Sequence, residues 1–190
     1  MVKIENIIPN STADKAGIKS DDRIITINGK EINDYIDYLY QISEAVIELK
    51  LKRKSGEIEE LILERELGEE LGIEFKEIIF DGLKQCHNNC VFCFVKQQPD
   101  NMRCSLNQKD DDYRFSFLQG SFITLTNLSS SELERIINKH LSPLNISVHT
   151  TNPELRVEMM KNPKAAEINE LLNLLKENGI EFHTQIVLCP

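Results

Sequence analysis

At 190 residues and 41% apolar side chains, the chain is long enough for one or two domains and apolar enough to build cores, which excludes a disordered segment. A formal net charge of −9 argues against a broad phosphate-backbone interface, so no nucleic-acid partner is expected and the acidic surplus reads as solvated surface. Met1-Val2-Lys3-Ile4-Glu5-Asn6 opens no apolar stretch of signal-peptide length, and nowhere do about 18 apolar residues run together, so no membrane partner and a reducing, cytoplasmic location are expected.

The first section, to about residue 65, alternates short β-rich runs with turns: Val2–Ile8, then Arg23–Ile27, the hairpin signal Asn28-Gly29, and Ile47–Lys52 before Ser55-Gly56. Two helices interrupt it. Ser11 or Thr12 can cap a short one ending at Gly17, and Asp34 a longer one carrying Ile36, Leu39, Tyr40 and Ile42 at helical spacing. The run Ile4 to Pro9, Ser11, Ala13, Ala16-Gly17-Ile18, Asp22, Ile24 and Ile27-Asn28-Gly29 resembles bacterial-type PDZ domains. That resemblance implies capture of a polypeptide carboxyl terminus by β-augmentation, with a loop of apolar-Gly-apolar type holding the carboxylate. Such a loop is not expected upstream of Ile4, and Leu71-Gly72-Ile73 is its candidate substitute, with a linker or edge strand as the alternative reading. A PDZ-like module with its linker is thus expected over residues 1–75.

From Ile78 onward apolar strands alternate with helices, which argues for an α/β architecture of βα units around a parallel sheet. Strands are predicted at Glu77–Phe80, Ser121–Thr126, Asn145–His149 and Glu181–Leu188. Ser129 with Glu132 makes a capping box for a helix over Glu132–His140; Asn152-Pro153 opens another to about Lys161; Pro163 starts one that Gly179 stops. Residues 76–190 read as the first part of a (βα) barrel, and because the pattern breaks off just after a strand, we expect the barrel to be truncated at Pro190.

Five cysteines are an odd count and three fall within eight positions, which disfavours disulfides. The run Cys86-His87-Asn88-Asn89-Cys90-Val91-Phe92-Cys93 has C-x3-C-x2-C spacing. Thiolates select zinc or iron–sulfur clusters, and a four-iron cluster normally takes four of them, so three ligands would leave one iron open. Zinc is the alternative, with His87 or Cys104 as a fourth ligand, although no second C-x2-C pair is present.

The same spacing, with aromatic Phe92 before the last cysteine, resembles the radical S-adenosylmethionine (SAM) enzymes. The resemblance implies that Cys86, Cys90 and Cys93 hold a [4Fe-4S] cluster whose open iron binds SAM, and that SAM is cleaved to a 5′-deoxyadenosyl radical. A closer resemblance is to PDZ-headed Fe–S oxidoreductases related to nitrogenase-cofactor and molybdopterin maturation enzymes. It rests on Phe80-Asp81-Gly82, Cys86 to Phe94, Met102-Arg103, Lys109 to Arg114, Ser116-Phe117-Leu118, Phe122 to Leu128, Ser147 to Thr151 and His183 to Pro190. It also implies a reductant partner such as a flavodoxin or ferredoxin.

Many radical SAM enzymes carry Gly-Gly-Glu after the second strand, where this chain has Thr124-Leu125-Thr126-Asn127 and no carboxylate. The candidate contacts on the SAM side are Phe92, Thr126, Asn127 and His149. Strand periodicity predicts Thr124, Thr126, Ser147, His149, His183 and Gln185 as inward-facing. Asp110-Asp111-Asp112 with Tyr113 and Arg114 reads as a solvated or salt-bridged loop, and Cys104 and Cys189 as ordinary thiols. A non-catalytic Fe–S electron-transfer protein or peptide-binding adaptor is the competing functional reading.

Overall fold

The computed structural model describes the chain apart from Leu67, Asp100, Met102, Cys104, Ser105 and Pro190, so the readings placed on Met102 and Cys104 lie outside the described residues. The chain forms two compact units, Met1–Gly82 and Leu83–Pro190. Among the described residues no helix is long and apolar enough to cross a membrane.

The first unit is β-rich. Strands β1 (Val2–Lys3), β3 (Arg23–Ile27), β4 (Val46–Lys52) and β5 (Ile58–Glu64) form an antiparallel sheet in the order β1-β3-β4-β5, while β2 (Asn6–Ile7) pairs with β6 (Ile73–Glu74). Alternation along β4 buries Ile47, Leu49 and Leu51 against Ile4, Ile24, Ile27 and Tyr38. Helix α1 (Thr12–Lys15) starts where Ser11 Oγ accepts Asp14 N–H, and α2 (Tyr35–Gln41) where Asp34 Oδ1 accepts Asp37 N–H at 2.9 Å. Asn28 and Gly29, with φ of 50° and 74°, make the two-residue turn their dipeptide predicts, and Ile27 and Lys30 exchange bonds across it at 2.9 Å.

Two expectations about strands change here. Val2–Ile8 is two strands in two different pairings, because the intervening Ile4 is fully buried and turns its N–H to the Asp22 carbonyl. Glu77–Phe80 forms no parallel strand. Tyr35 N–H donates to Ile78 O at 2.8 Å and Phe80 N–H to Asn33 O at 2.9 Å, an antiparallel bridge inside the first unit. Its apolar side chains are satisfied there: Phe75 lies edge-on to Tyr35 and Tyr38, Phe80 packs on Phe75, and Ile79 is buried.

The second unit contains α3 (Tyr113–Gln119), α4 (Ser130–Asn138), β7 (Leu144–Ser147), α5 (Pro153–Met160), a 3-10 turn at Pro163–Glu167, α6 (Ile168–Glu177) and β8 (Phe182–Gln185). Strands β7 and β8 pair in parallel from Leu144↔Phe182 to Ser147↔Gln185, joined by a helical crossover as parallel pairing requires. The capping box at Ser129 and Glu132 is present, Asn152 caps α5 with Pro153 in the first turn, and α6 ends before Gly179 at φ 74°.

The predicted strand Ser121–Thr126 shrinks to one parallel bridge, Ile123↔Ile146, beside β7. Thr124 leaves the ladder because its N–H goes to the Asp111 carboxylate, and Leu125 takes a left-handed φ of 63°. Helix α3 begins at Tyr113, directly after the aspartates of the segment read as an acidic loop. Asp112 Oδ1 caps it by accepting Arg114 N–H, and Arg114 folds back to form a buried ion pair with Asp112 at 2.7 Å. Asp111, Asp112 and Arg114 are buried, with Asp112 paired to Arg114 and Asp111 bonded to Thr124, while Asp110 stays exposed.

Candidate metal centre

The cysteine loop is held by its backbone. Cys86 N–H donates to Lys109 O at 2.8 Å beside a Gln85↔Asp110 bridge, and Asn89 and Val91 N–H donate to Met160 O and Met159 O at the carboxyl end of α5. Cys93 N–H turns back to Cys90 O. The loop is therefore clamped at its start and along its middle, while its three thiols stay half-buried and outside any disulfide.

Burial pushes the Cys90 thiol up to about 11, and the neighbouring Cys86 and Cys93 push it further in the same direction. Burial and the Asp111 carboxylate likewise raise Cys86. Cys86 and Cys90, raised in this way, are stabilised as thiolates by a cation placed beside them and Cys93, so the donor chemistry fits a thiophilic metal group. Among the described residues, no three His, Cys, Asp or Glu side chains are gathered into a closed ligand group. His87 is exposed.

Behind the loop lies a buried polar network that takes in Thr124 and Thr126, both expected to face inward, around Asn88, which sequence reasoning missed. Asn88, 2% exposed, donates from Nδ2 to Thr124 Oγ1 at 2.9 Å and to Cys86 Sγ at 3.4 Å. Its Oδ1 accepts Thr126 Oγ1–H at 2.9 Å and Asn162 Nδ2–H at 2.7 Å. Thr124 donates its hydroxyl to Asp111 Oδ2 at 2.5 Å and its N–H to Oδ1 at 2.6 Å. Lys109 Nζ donates to the Asn88 carbonyl. Burial raises the Asp111 carboxyl, and the Thr124 bonds act against that rise.

Arg156, also missed, is the largest fully buried side chain among the described residues and ties together the other side of this network. Its guanidinium donates to Val148 O, Ala165 O, Thr124 O and Ser147 O at 2.8–2.9 Å, joining the bridge segment, β7 and the 3-10 turn. Asn and Arg have no distinctive spacing, so no local sequence signal marks either residue.

The other predicted residues divide. Phe92 packs against His149 with ring centroids 4.5 Å apart. His149 has φ 65°, accepts Val187 N–H on Nδ1 at 3.2 Å, and is held down to about 4 by burial and then by Arg156, so the ring is neutral near pH 7. Thr126 is buried within the Asn88 network, and Asn127 Nδ2 ties the bridge segment to Gln85 O at 3.0 Å. Ser147 is buried, whereas His183, Gln185 and Cys189 are exposed.

In the first unit, Leu71 and Ile73 are buried, Leu71 O accepts Ala13 N–H and Gly72 O accepts Ile8 N–H, each at 2.9 Å. The Leu71 and Gly72 N–H groups donate to no described residue. The segment is thus a buried fixture of the fold, Gly72 included, that pairs through its carbonyls with α1 and with Ile8 at the end of β2.

A search of curated proteins finds no match to the chain. Residues 3–53 match the PDZ domain family, and residues 65–190, about two thirds of the chain, match the radical SAM-like domain family. The chain therefore belongs to the radical SAM-like domain family and carries a PDZ domain at its head.

Proposed function

We propose that Cys86, Cys90 and Cys93 hold a [4Fe-4S] cluster with one iron left for SAM, and that the protein is a radical SAM-type oxidoreductase of a reducing cytoplasm. The observation that carries this reading is the cysteine loop: three half-buried thiols, coupled through Cys90 and clamped to Lys109, Met159 and Met160, in a chain of the radical SAM-like family. With both groups bound, the chemistry supplied is one-electron reductive cleavage of SAM to a 5′-deoxyadenosyl radical that takes hydrogen from a substrate.

The chain's own residues position and shield that chemistry. The clamp fixes the loop backbone, the Asn88 network fills the space behind Cys86, and the Phe92–His149 pair covers the loop's aromatic end. A neutral His149 can offer an Nε2–H donor to a SAM carboxylate, because its Nδ1 already accepts from Val187. We read Ile123, β7 and β8 as successive members of a parallel barrel within residues 83–190, and the first unit, with Glu77–Phe80 folded onto it, as the PDZ portion with its linker. Leu71, Gly72 and Ile73 would receive a peptide carboxylate on the Leu71 and Gly72 N–H groups, and a flavodoxin- or ferredoxin-type protein would deliver the electron.

One observation favours a second reading, an electron-transfer protein or adaptor without SAM chemistry. No carboxylate lies in Thr124–Asn127, and both threonine hydroxyls there are already engaged with Asn88 and Asp111. Anaerobic reconstitution followed by dithionite and SAM separates the two. Formation of 5′-deoxyadenosine supports the enzyme. A spectroscopically intact cluster that leaves SAM uncleaved supports the second reading, and one zinc with no iron or sulfide overturns both.

A further inference from the structure

We infer that Asn88 is a positioning residue that sets the reduction potential of the cluster through a hydrogen bond to Cys86 Sγ, an inference that rests on the cluster reading above. Asn88 Nδ2 lies 3.4 Å from that sulfur, and the direction of the contact follows from its neighbours. Asparagine O and N are distinguished only by their partners, so each end of the network has to be traced to a group with no choice of polarity.

At one end, the Lys164 backbone N–H donates to Asn162 Oδ1 at 3.1 Å. Asn162 therefore presents its NH2 group to Asn88 at 2.7 Å, and the atom receiving it must be Asn88 Oδ1. At the other end, the Asp111 carboxylate takes the single hydroxyl proton of Thr124, which turns a Thr124 lone pair toward Asn88. Both constraints place the Asn88 NH2 group on the side of Thr124 and Cys86. One N–H serves Thr124, the other points at sulfur, and both Oδ1 lone pairs are filled by Thr126 and Asn162. All four hydrogen-bonding positions of the amide are used, so it has no competing orientation.

A hydrogen bond to a cluster thiolate stabilises the more negative, reduced state and raises the potential. Burial of the amide strengthens the effect because water does not compete for it. Among the residues within the loop, His87 is exposed, which leaves Asn88 as the side chain placed to act on Cys86.

The test uses the full chain, reconstituted anaerobically, with asparagine carrying nitrogen-15 in its side-chain amide. Pulsed EPR of the reduced wild type should show coupling to one such nitrogen. Asn88→Ala should retain its iron and sulfide, lose that coupling and shift the midpoint potential to more negative values. A loaded wild type without the coupling, or a loaded variant with an unchanged potential, overturns the role of Asn88 while leaving the cluster intact as a reading. A wild type that binds no iron and sulfide overturns both. If Asn88→Ala fails to fold, the labelled wild-type spectrum decides alone.

Discussion

Arg156 Nη2 donates to the Thr124 carbonyl at 2.9 Å and to Ser147 O at 2.8 Å, so one buried guanidinium substitutes for the ladder bonds that the 121–126 segment does not make. With Nε on Val148 O and Nη1 on Ala165 O, it satisfies four carbonyls that burial would otherwise leave costly. Lysine carries its charge as a point and lacks the planar fork, so it cannot replace these contacts together. Arg156→Lys should cost about 2–4 kcal/mol, with at least two buried acceptors left unpaired. Amide exchange at Ile146 and Val148 should accelerate accordingly, and unchanged protection would refute the role.

In the first unit, Asp22 is buried and accepts from Arg53 Nη1 at 2.7 Å and from the Lys54 and Lys19 N–H groups at 3.0 and 3.1 Å. Burial alone would raise its carboxyl, but the Arg53 bond and the two backbone donors outweigh it and hold the group below the usual carboxylate range. A folded-state value depressed below the unfolded one gives stability that is present above the unfolded value and lost as pH falls through the folded value. Asp22→Asn should therefore cost about 2 kcal/mol at pH 7. The gap to wild type should hold down to about pH 5 and close below about pH 4. Urea unfolding across this range measures it.

Features whose causes lie within a few residues were legible in the sequence. Asp34, Ser11, Asn152-Pro153 and the Ser129–Glu132 box all start helices, and Asn28-Gly29 turns, because each cap or turn is satisfied by the next few backbone groups. Partner choice was not legible. The apolar run Glu77–Phe80 looks the same whether it joins a parallel sheet or folds back on Asn33–Tyr35, and only the aromatic neighbours Tyr35, Tyr38 and Phe75 decide. Strand β5 went unread because only Leu63 of its apolar residues is fully buried, while Ile58 and Ile62 face solvent. Three consecutive aspartates read as a solvated or salt-bridged loop, and only Thr124, from a distant segment, shows that Asp111 is the one drawn inside while Asp110 stays exposed. The cysteines were legible by spacing; Asn88 between them was not, since its meaning depends on Thr124, Thr126 and Asn162.

His149 supplies a titration test. Burial and then Arg156 lower it to about 4, so the native ring stays neutral while an unfolded histidine protonates near 6.5. Between those values the unfolded state binds the proton and the native state does not, so stability should fall as pH falls from about 6.5 toward 4. His149→Gln should flatten that slope. In the cluster-free protein the His149 ring resonances should stay fixed from pH 8 to 5, and a midpoint near 6.5 would contradict the environment described.

Gly72 has φ 79°, and a Cβ there would lie 2.3 Å from Ser11 Cβ and 2.4 Å from Ser11 Oγ. Alanine therefore meets two separate penalties, a left-handed backbone costing about 1–2 kcal/mol and a clash with the residue that caps α1. The two can be separated because Ser11→Gly removes the clashing atoms, and glycine in place of serine at a helix cap costs only a few tenths of a kcal/mol. Gly72→Ala should lose about 3 kcal/mol or more. Adding Ser11→Gly should return the steric part and leave about 1–2 kcal/mol, so the paired variants couple strongly and favourably. Urea unfolding of the full chain, followed through the amide signals of Leu49 and Leu51, reads all four members of the cycle. Additive losses would show that residues 71–73 do not pack on Ser11 as described, and would remove the rigid backing that the Leu71 and Gly72 N–H groups need to receive a carboxylate.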